Sequence, residues 1–185
     1  MNRHRQVSAS GRAHYAIRPA DISEWALIWP IFRAVIAAGD TFVYAQSMRP
    51  DEARALWFAN AAVLVAVDAR SAIIGTARIG PNYPGPGAHV ASASVMVSPD
   101  HRGRGVGRAL GEYLLLQAAA EGYRAMQFNA VVATNQTAVR LWTDLGFVVI
   151  GASPEAFLHP RDGYVDLHIM HHDLSAGRMP RRTEG

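Results

Sequence analysis

The stretch Arg102-Gly-Arg-Gly-Val-Gly-Arg108 carries the residues best suited to hold an anion. An apolar run, Val95-Met-Val97, reaches Ser98-Pro99 just before it, and the spacing of Leu110, Leu114 and Leu115 predicts a helix from Val106 just after it. The first turn of such a helix has unpaired N–H groups and the positive end of the helix dipole. Glycine at 103, 105 and 107 removes the Cβ atoms that would keep an anion away from the backbone. The guanidinium groups of Arg102, Arg104 and Arg108 add positive charge around the turn. The combination is a seat for a phosphate or pyrophosphate.

Two familiar phosphate loops do not fit. A P-loop ends in Gly-Lys-Ser/Thr, and the sequence contains no lysine. A dinucleotide fingerprint needs a further glycine where Leu110 stands. What remains, Arg102-x-x-Gly105-x-Gly107 between strand and helix, resembles the acyl-CoA pyrophosphate loop of the GCN5-related N-acetyltransferases, the GNAT family. A second motif of that family, N-x-x-A-x-x-L-Y-x-x-x-G-F, is matched in order by Asn135, Ala138, Leu141, Trp142, Gly146 and Phe147, with Trp142 in place of the tyrosine. The phrase Met126-Gln-Phe-Asn-Ala-Val-Val132, with Gly163-Tyr-Val-Asp166, resembles a branch containing fungal acetyltransferases of toxic proline analogues. The resemblance runs from about Tyr15 to His172.

The resemblance implies a GNAT fold of the α/β class: a mixed central sheet of about seven strands, with parallel strands 4 and 5 splayed apart, flanked by about four helices. Acetyl-CoA is the implied cosubstrate, with its pyrophosphate on the backbone of Arg102, Gly103, Arg104, Gly105, Val106 and Gly107 and beside Arg108. Its pantetheine arm is expected along freed backbone groups of Ser94, Val95 and Met96, with Asn135 beside it. The N–H of Val95 would hold the thioester oxygen as it becomes an oxyanion, a contribution of about 3 kcal/mol. In the proline-analogue branch Asn129 would lie near the reacting carbonyl or the CoA arm, and an asparagine is usual where this chain has Ser92. The usual acid and base are missing: Trp142 stands where many members keep a tyrosine, and Ala130 where some keep a glutamate. The acceptor is expected between loops 39–47 and 151–163, with Thr41, Tyr44, Ser92, Phe157 and His159 as its contacts. His89 and His168 are more simply structural than basic.

The elements that must position these residues are legible by pattern. A strand is expected over 14–18, followed by a capping box, Asp21-Ile-Ser-Glu24, that opens a helix toward Ala38. Pro30 predicts a kink or break within it. Pro50 with Asp51 and Glu52 opens a second helix. Strands are expected over 62–67, 73–79, 89–97, 126–132, 147–150 and 164–170, with helices over 106–120 and 137–145. The order βααβββαβαββ gives one domain over 14–173, with disordered tails at 1–13 and 174–185.

Composition narrows the classes. The chain has 185 residues, half of them hydrophobic, enough for a sizeable core. No apolar run is long enough to span a bilayer, and the N-terminus lacks a secretory apolar segment, so cytoplasmic placement is expected. With no cysteine, disulfides, thiolate metal sites and an S-acyl enzyme are excluded. His168-x-x-His171-His172 falls at a strand end where the rings diverge, so no metal site is expected. The net charge of +3 is not gathered in a basic stripe, since Arg3, Arg5, Arg181 and Arg182 lie in the expected tails, which argues against nucleic acid.

The expectation is therefore direct acetyl transfer from acetyl-CoA to the amine of a small acceptor, an amino acid or a similar compound, by a chain that can form a homodimer. Two rivals remain open: a CoA-binding sensor without chemistry, and an acetyltransferase of protein N-termini or ribosomal proteins.

Overall fold

In the computed structural model, residues 15–175 are described. Seven strands form one sheet: β1 (Tyr15–Pro19), β2 (Ala62–Asp68), β3 (Ile73–Pro81), β4 (Val90–Val97), β5 (Ala125–Val132), β6 (Val148–His159) and β7 (Gly163–Asp173). Their spatial order is β1-β2-β3-β4-β5-β7-β6. Every neighbouring pair is antiparallel except β4 and β5. The helices are α1 (Trp25–Ala38), α2 (Pro50–Phe58), α3 (Val106–Glu121) and α4 (Gln136–Asp144). Seven strands, four helices and the parallel β4–β5 pair match the expected fold.

The period-two alternation of the strands sorts their side chains to two faces. One face packs against α3 and α4, where Ala91, Ala93, Met126, Phe128 and Met170 meet Leu110, Leu114 and Trp142. The other packs against α1 and α2, where Val63, Val65 and Met96 meet Ile28, Phe32 and Trp57. Among the described residues no helix is long and apolar enough to cross a membrane.

The entry to α1 is built as its sequence predicts. Asp21 Oδ1 accepts from the N–H of Ser23 at 2.8 Å, and Glu24 Oε2 accepts from the N–H of Asp21 at 3.0 Å. Arg18 of β1 grips both Glu24 oxygens, at 2.8 and 2.6 Å. These bonds, Arg18 foremost, hold the Glu24 carboxyl below the usual carboxylate range.

Two features differ from the sequence reading here. The break that Pro30 allowed does not occur: α1 runs on through it. Pro30 sits on the exposed side, and the carbonyl it deprives of a partner belongs to exposed Ala26, where water can serve. Trp25, Ile28, Phe32 and Val35 bury the opposite side and hold the helix together across the proline.

The second concerns 151–163. The Gly, Ser, Pro and Glu of 151–155 read as a loop, but β6 continues through them to His159 and pairs along β7. The breakers are absorbed by register shifts between Val149 and Gly151 and between Ser153 and Phe157. Glu155 takes φ 51°, and its N–H donates to Asp166 Oδ1 at 3.0 Å. Only 160–162 remain as a turn. The expected tails lie outside the described residues except Leu174 and Ser175; Leu174 still bonds to the Arg124 carbonyl at 2.9 Å.

Candidate active site

The turn between β4 and α3 leaves backbone N–H groups open, as the glycines require. Gly103 and Gly105 take φ of 72° and 81°, a conformation that side chains strain to adopt. Gly105 is the N-cap of α3 and provides no side-chain cap. The first helical N–H to find a partner is that of Ala109, which donates to the Gly105 carbonyl at 3.0 Å. The N–H groups of Val106, Gly107 and Arg108 thus have no carbonyl within the helix. A Cβ on Gly103 would meet nothing within 4 Å, so the approach is open. Arg102 and Arg104 are exposed at its rim. Arg108 instead reaches α4 and donates to Asp144 Oδ2 at 2.6 Å. It lines, with Gln136, Thr137, Arg140, Leu141 and Asp144, a groove of about 360 Å³. The Tyr15 hydroxyl lies on the other side, 3.5 Å from where a Gly105 Cβ would be. Burial, with Glu112 nearby, pushes its phenol up.

Immediately before this turn the sheet opens. β4 and β5 share only the pairs Val90–Ala125 and Ala91–Met126. Beyond them β4 is paired on its β3 side alone. The bonds from Ser98 N–H to the Ile74 carbonyl (2.9 Å) and from Asn82 N–H to the Val90 carbonyl (2.8 Å) fix which residues face which way. Even-numbered residues of β4 turn their backbone groups to β3, and odd-numbered ones toward β5. The His89 carbonyl, which accepts from Arg124 N–H at 2.8 Å, agrees with this parity. Of the three residues singled out on β4, Val95 therefore turns its N–H and C=O into the opening. The backbone groups of Ser94 and Met96 are turned to Arg78 and Thr76 of β3. Their side chains, with that of Ser92, lie on the α1–α2 face, where Met96 is buried.

β5 is bulged where it leaves β4, with a register shift against β7 between Phe128 and Val131. One extra residue there carries Asn129 and Ala130 out of alternation. Asn129 is exposed; its Oδ1 accepts from Gln127 Nε2 at 2.8 Å, and its Nδ2 donates to Asn82 Oδ1 at 2.6 Å. Asn135 is the N-cap of α4, with its Oδ1 accepting from the N–H of Ala138 at 3.1 Å. Trp142 is 8% exposed, with its ring 4.5 Å from Phe128 and 5.8 Å from Phe147, so the indole fills core space rather than facing the opening.

The two expected acceptor walls come together, although the second is a strand end. Gly39, Phe42, Val43, Tyr44 and Gln46 line a cavity of about 410 Å³ with Ala156, Phe157, Leu158 and Pro160. Tyr44 stacks on Phe32 in the cluster that includes Met96 of β4. Phe157 packs with Ala130 and Val132 of β5. Each wall is thus tied to one of the parted strands. Thr41 and His159 do not line the cavity. Thr41 Oγ1 is buried with no hydrogen-bond partner. His159 is buried at the β6–β7 turn, where its Nδ1 accepts from the N–H groups of Arg161 (3.4 Å) and Asp162 (3.2 Å) and lies 2.9 Å from the Asp162 carboxylate.

Sequence reasoning missed Asn82 and Gln127 as partners of Asn129. The Asn82 loop was legible only as a loop, since its prolines and glycines do not say which strand it folds against.

The model of the acetyltransferase (GNAT) family matches residues 27–147. The N-acetyltransferase aca1 of Schizosaccharomyces pombe is 38% identical over 104 residues, 56% of this chain and 50% of that protein, so the match spans half of that relative's length. A GCN5-related N-acetyltransferase from Kribbella flavida superposes with a TM-score of 0.84 at 50% identity, covering 86% of this chain and 98% of that one. The yncA protein of Salmonella typhimurium, solved with its cofactor acetyl-CoA, superposes with a TM-score of 0.78 at 26% identity, covering 92% of this chain and 99% of that one. The family match covers more than half of the sequence, and the chain belongs to the acetyltransferase (GNAT) family.

Proposed function

We propose that the chain moves the acetyl group of acetyl-CoA directly to the amine of a small acceptor. The observation that carries this is the parting of β4 from β5 after Ala91 and Met126, with the Val95 N–H turned into the gap and the uncapped start of α3 at its end. The open approach at Gly103 and the exposed Arg102 and Arg104 suit a pyrophosphate. Bound acetyl-CoA supplies a thioester carbon for the amine to attack. Val95 N–H then donates to the carbonyl oxygen as negative charge gathers there. Asn129 stands at the edge of the same gap, and Asn135 at the start of α4. The sequence has no cysteine to carry the acetyl group between sites, so the amine attacks in a ternary complex. Positioning supplies much of the acceleration.

The acceptor sits in the cavity between Tyr44 and Phe157. Among the described residues its lining is aromatic, aliphatic and amide, which suits the apolar part of a small amino-acid-like acceptor. A phosphinothricin acetyltransferase of Sinorhizobium meliloti, solved with acetyl-CoA, shares the fold at a TM-score of 0.81 and 24% identity. Cytoplasmic placement and a homodimer complete the reading.

The test is turnover. The purified chain is incubated with acetyl-CoA and a panel of amino acids, amino-acid-like amines and N-terminal peptides. Free CoA is followed, and the acceptor is weighed by mass spectrometry. Acetylation of a small amine is expected. Tight acetyl-CoA binding with no acetylated product would favour a sensor, and preference for the peptides would favour the N-terminal reading.

A further inference from the structure

Asn129 is exposed on β5, yet its carboxamide is held from both sides. Gln127 donates to its oxygen at 2.8 Å, and its nitrogen donates to Asn82 Oδ1 at 2.6 Å. Gln127 is its neighbour two residues back on the same strand. Asn82 is not local: it lies 47 residues earlier, just after β3, on the other side of the opening. Asn82 is itself anchored, because its N–H donates to the Val90 carbonyl at 2.8 Å. The loop it begins is stiffened by Pro84 and Pro86, and His89 Nδ1 closes it against the Pro86 carbonyl at 3.0 Å. A fixed point on the β3–β4 half of the sheet thus grips a side chain on the β5 half.

An exposed asparagine otherwise rotates, since its terminal torsion is broad and nearly two-fold. The carboxamide has two N–H donors and an oxygen with two lone pairs. Gln127 occupies one lone pair and Asn82 one N–H. One N–H and one lone pair remain, on determined sides of the group. Without Asn82, oxygen and nitrogen can exchange places, and a bound acceptor would meet either.

We propose that Asn82 is a positioning residue that locks the Asn129 carboxamide in one orientation at the opening between β4 and β5. Its kinetic consequence rests on the acetyl-transfer reading above; the lock itself does not.

The full chain serves for the test, with three variants. Asn82→Asp keeps an oxygen that can accept the Asn129 bond. Asn82→Leu keeps the size and removes the acceptor. Asn129→Ala identifies the Asn129 side-chain signal in a ¹H–¹⁵N spectrum by its disappearance. In the wild type and in Asn82→Asp, the Asn129 amide protons should exchange slowly with solvent; in Asn82→Leu they should exchange like those of a free asparagine. Asn82→Leu should lose about tenfold or more in kcat, a misplacement effect, with acetyl-CoA affinity and melting temperature unchanged. Asn82→Asp should stay near the wild type. In the Asn129→Ala background the leucine change should cost nothing further. Equal losses in Asn82→Asp and Asn82→Leu, an undiminished loss in the Asn129→Ala background, or an Asn129 amide indifferent to Asn82→Leu would each overturn the proposal. A chain that acetylates no acceptor while Asn82→Leu still frees the Asn129 amide would overturn the transfer reading and support the lock.

Discussion

Gly111 and Trp142 meet so closely that a Cβ on the glycine would lie 2.9 Å from Cζ3 of the indole. The same Cβ would lie 2.7 Å from Leu145 Cδ1. α3 and α4 approach each other here because Gly111 has no side chain, and the indole is delivered onto Phe128 as a result. Trp142 thereby contributes core volume between α3, α4 and β5.

Gly111→Ala should accordingly destabilise the protein by about 1–3 kcal/mol through overpacking. Urea unfolding followed by tryptophan fluorescence measures it. A loss under about 0.5 kcal/mol, within the range of ordinary surface substitutions, would mean that α4 shifts freely and the contact is soft.

The turn glycines differ in what they tolerate. Gly105 has φ 81°, so a valine there strains the backbone as well as obstructing the anion. Gly107 has no such constraint, and its Cβ would make ordinary contacts at 3.6 Å with Leu141 and 3.7 Å with Val97. Gly105→Val should abolish acetyl-CoA binding, while Gly107→Ala should fold normally and bind more weakly. Calorimetric titration separates them. Unchanged affinity in both would remove the turn from the binding site.

The Arg18–Glu24 pair should shape the acid limb of stability. Arg18 holds the folded Glu24 carboxyl below its ordinary value of 4.5. That contribution is complete above the unfolded value and is lost as pH falls through the lowered folded value. Arg18→Met should leave a flatter loss of melting temperature on acidification, with the difference from wild type shrinking as pH drops. A constant difference at every pH would mean that the pair acts by packing alone.

Proton handling in the proposed transfer reaction gives the fourth expectation. Trp142 is packed in the core and Ala130 carries no base; if no other side chain serves as base, water would take the proton and the neutral amine would be the reacting species. A peptide-like α-amine has a pKa near 8, so roughly a tenth is neutral at pH 7. kcat/KM should rise with pH along the acceptor's own titration, unmoved by His89→Ala or His168→Ala. A plateau well below the acceptor pKa that disappears in either variant would reveal a general base.

Much of the fold was legible because the punctuation was local. The Asp21–Glu24 capping box, Pro50 at a helix start and Gly122 at a helix end act within a few residues, and each element begins or ends where they stand. Pro30 misled because the buried Phe32 side of α1 holds the helix across the lost hydrogen bond while the freed Ala26 carbonyl lies on the exposed side, which pattern alone does not weigh. Pro154 and Glu155 misled because a bulge on an edge strand can house them opposite Asp166, a partner eleven residues away. In the site, the β4–α3 turn was visible as a motif. The parity that selects Val95 over Ser94 and Met96 depends on β3, and the Asn82–Asn129 contact depends on where a loop folds; neither has a signature in spacing.

The two ladder pairs between β4 and β5 also bear on how the protein comes apart. The sheet is two half-sheets, one of four strands and one of three, fastened at one end and joined by α3. A ligand lying along the open seam would act as the missing rungs. Amides such as those of Val95 and Val97 should then exchange hydrogen readily without ligand and slowly with it. The whole chain should also resist heat in proportion to the logarithm of ligand concentration, by about 2.7 kcal/mol at a hundredfold excess over Kd. For such a protein, bound acetyl donor would close the seam as well as feed the reaction.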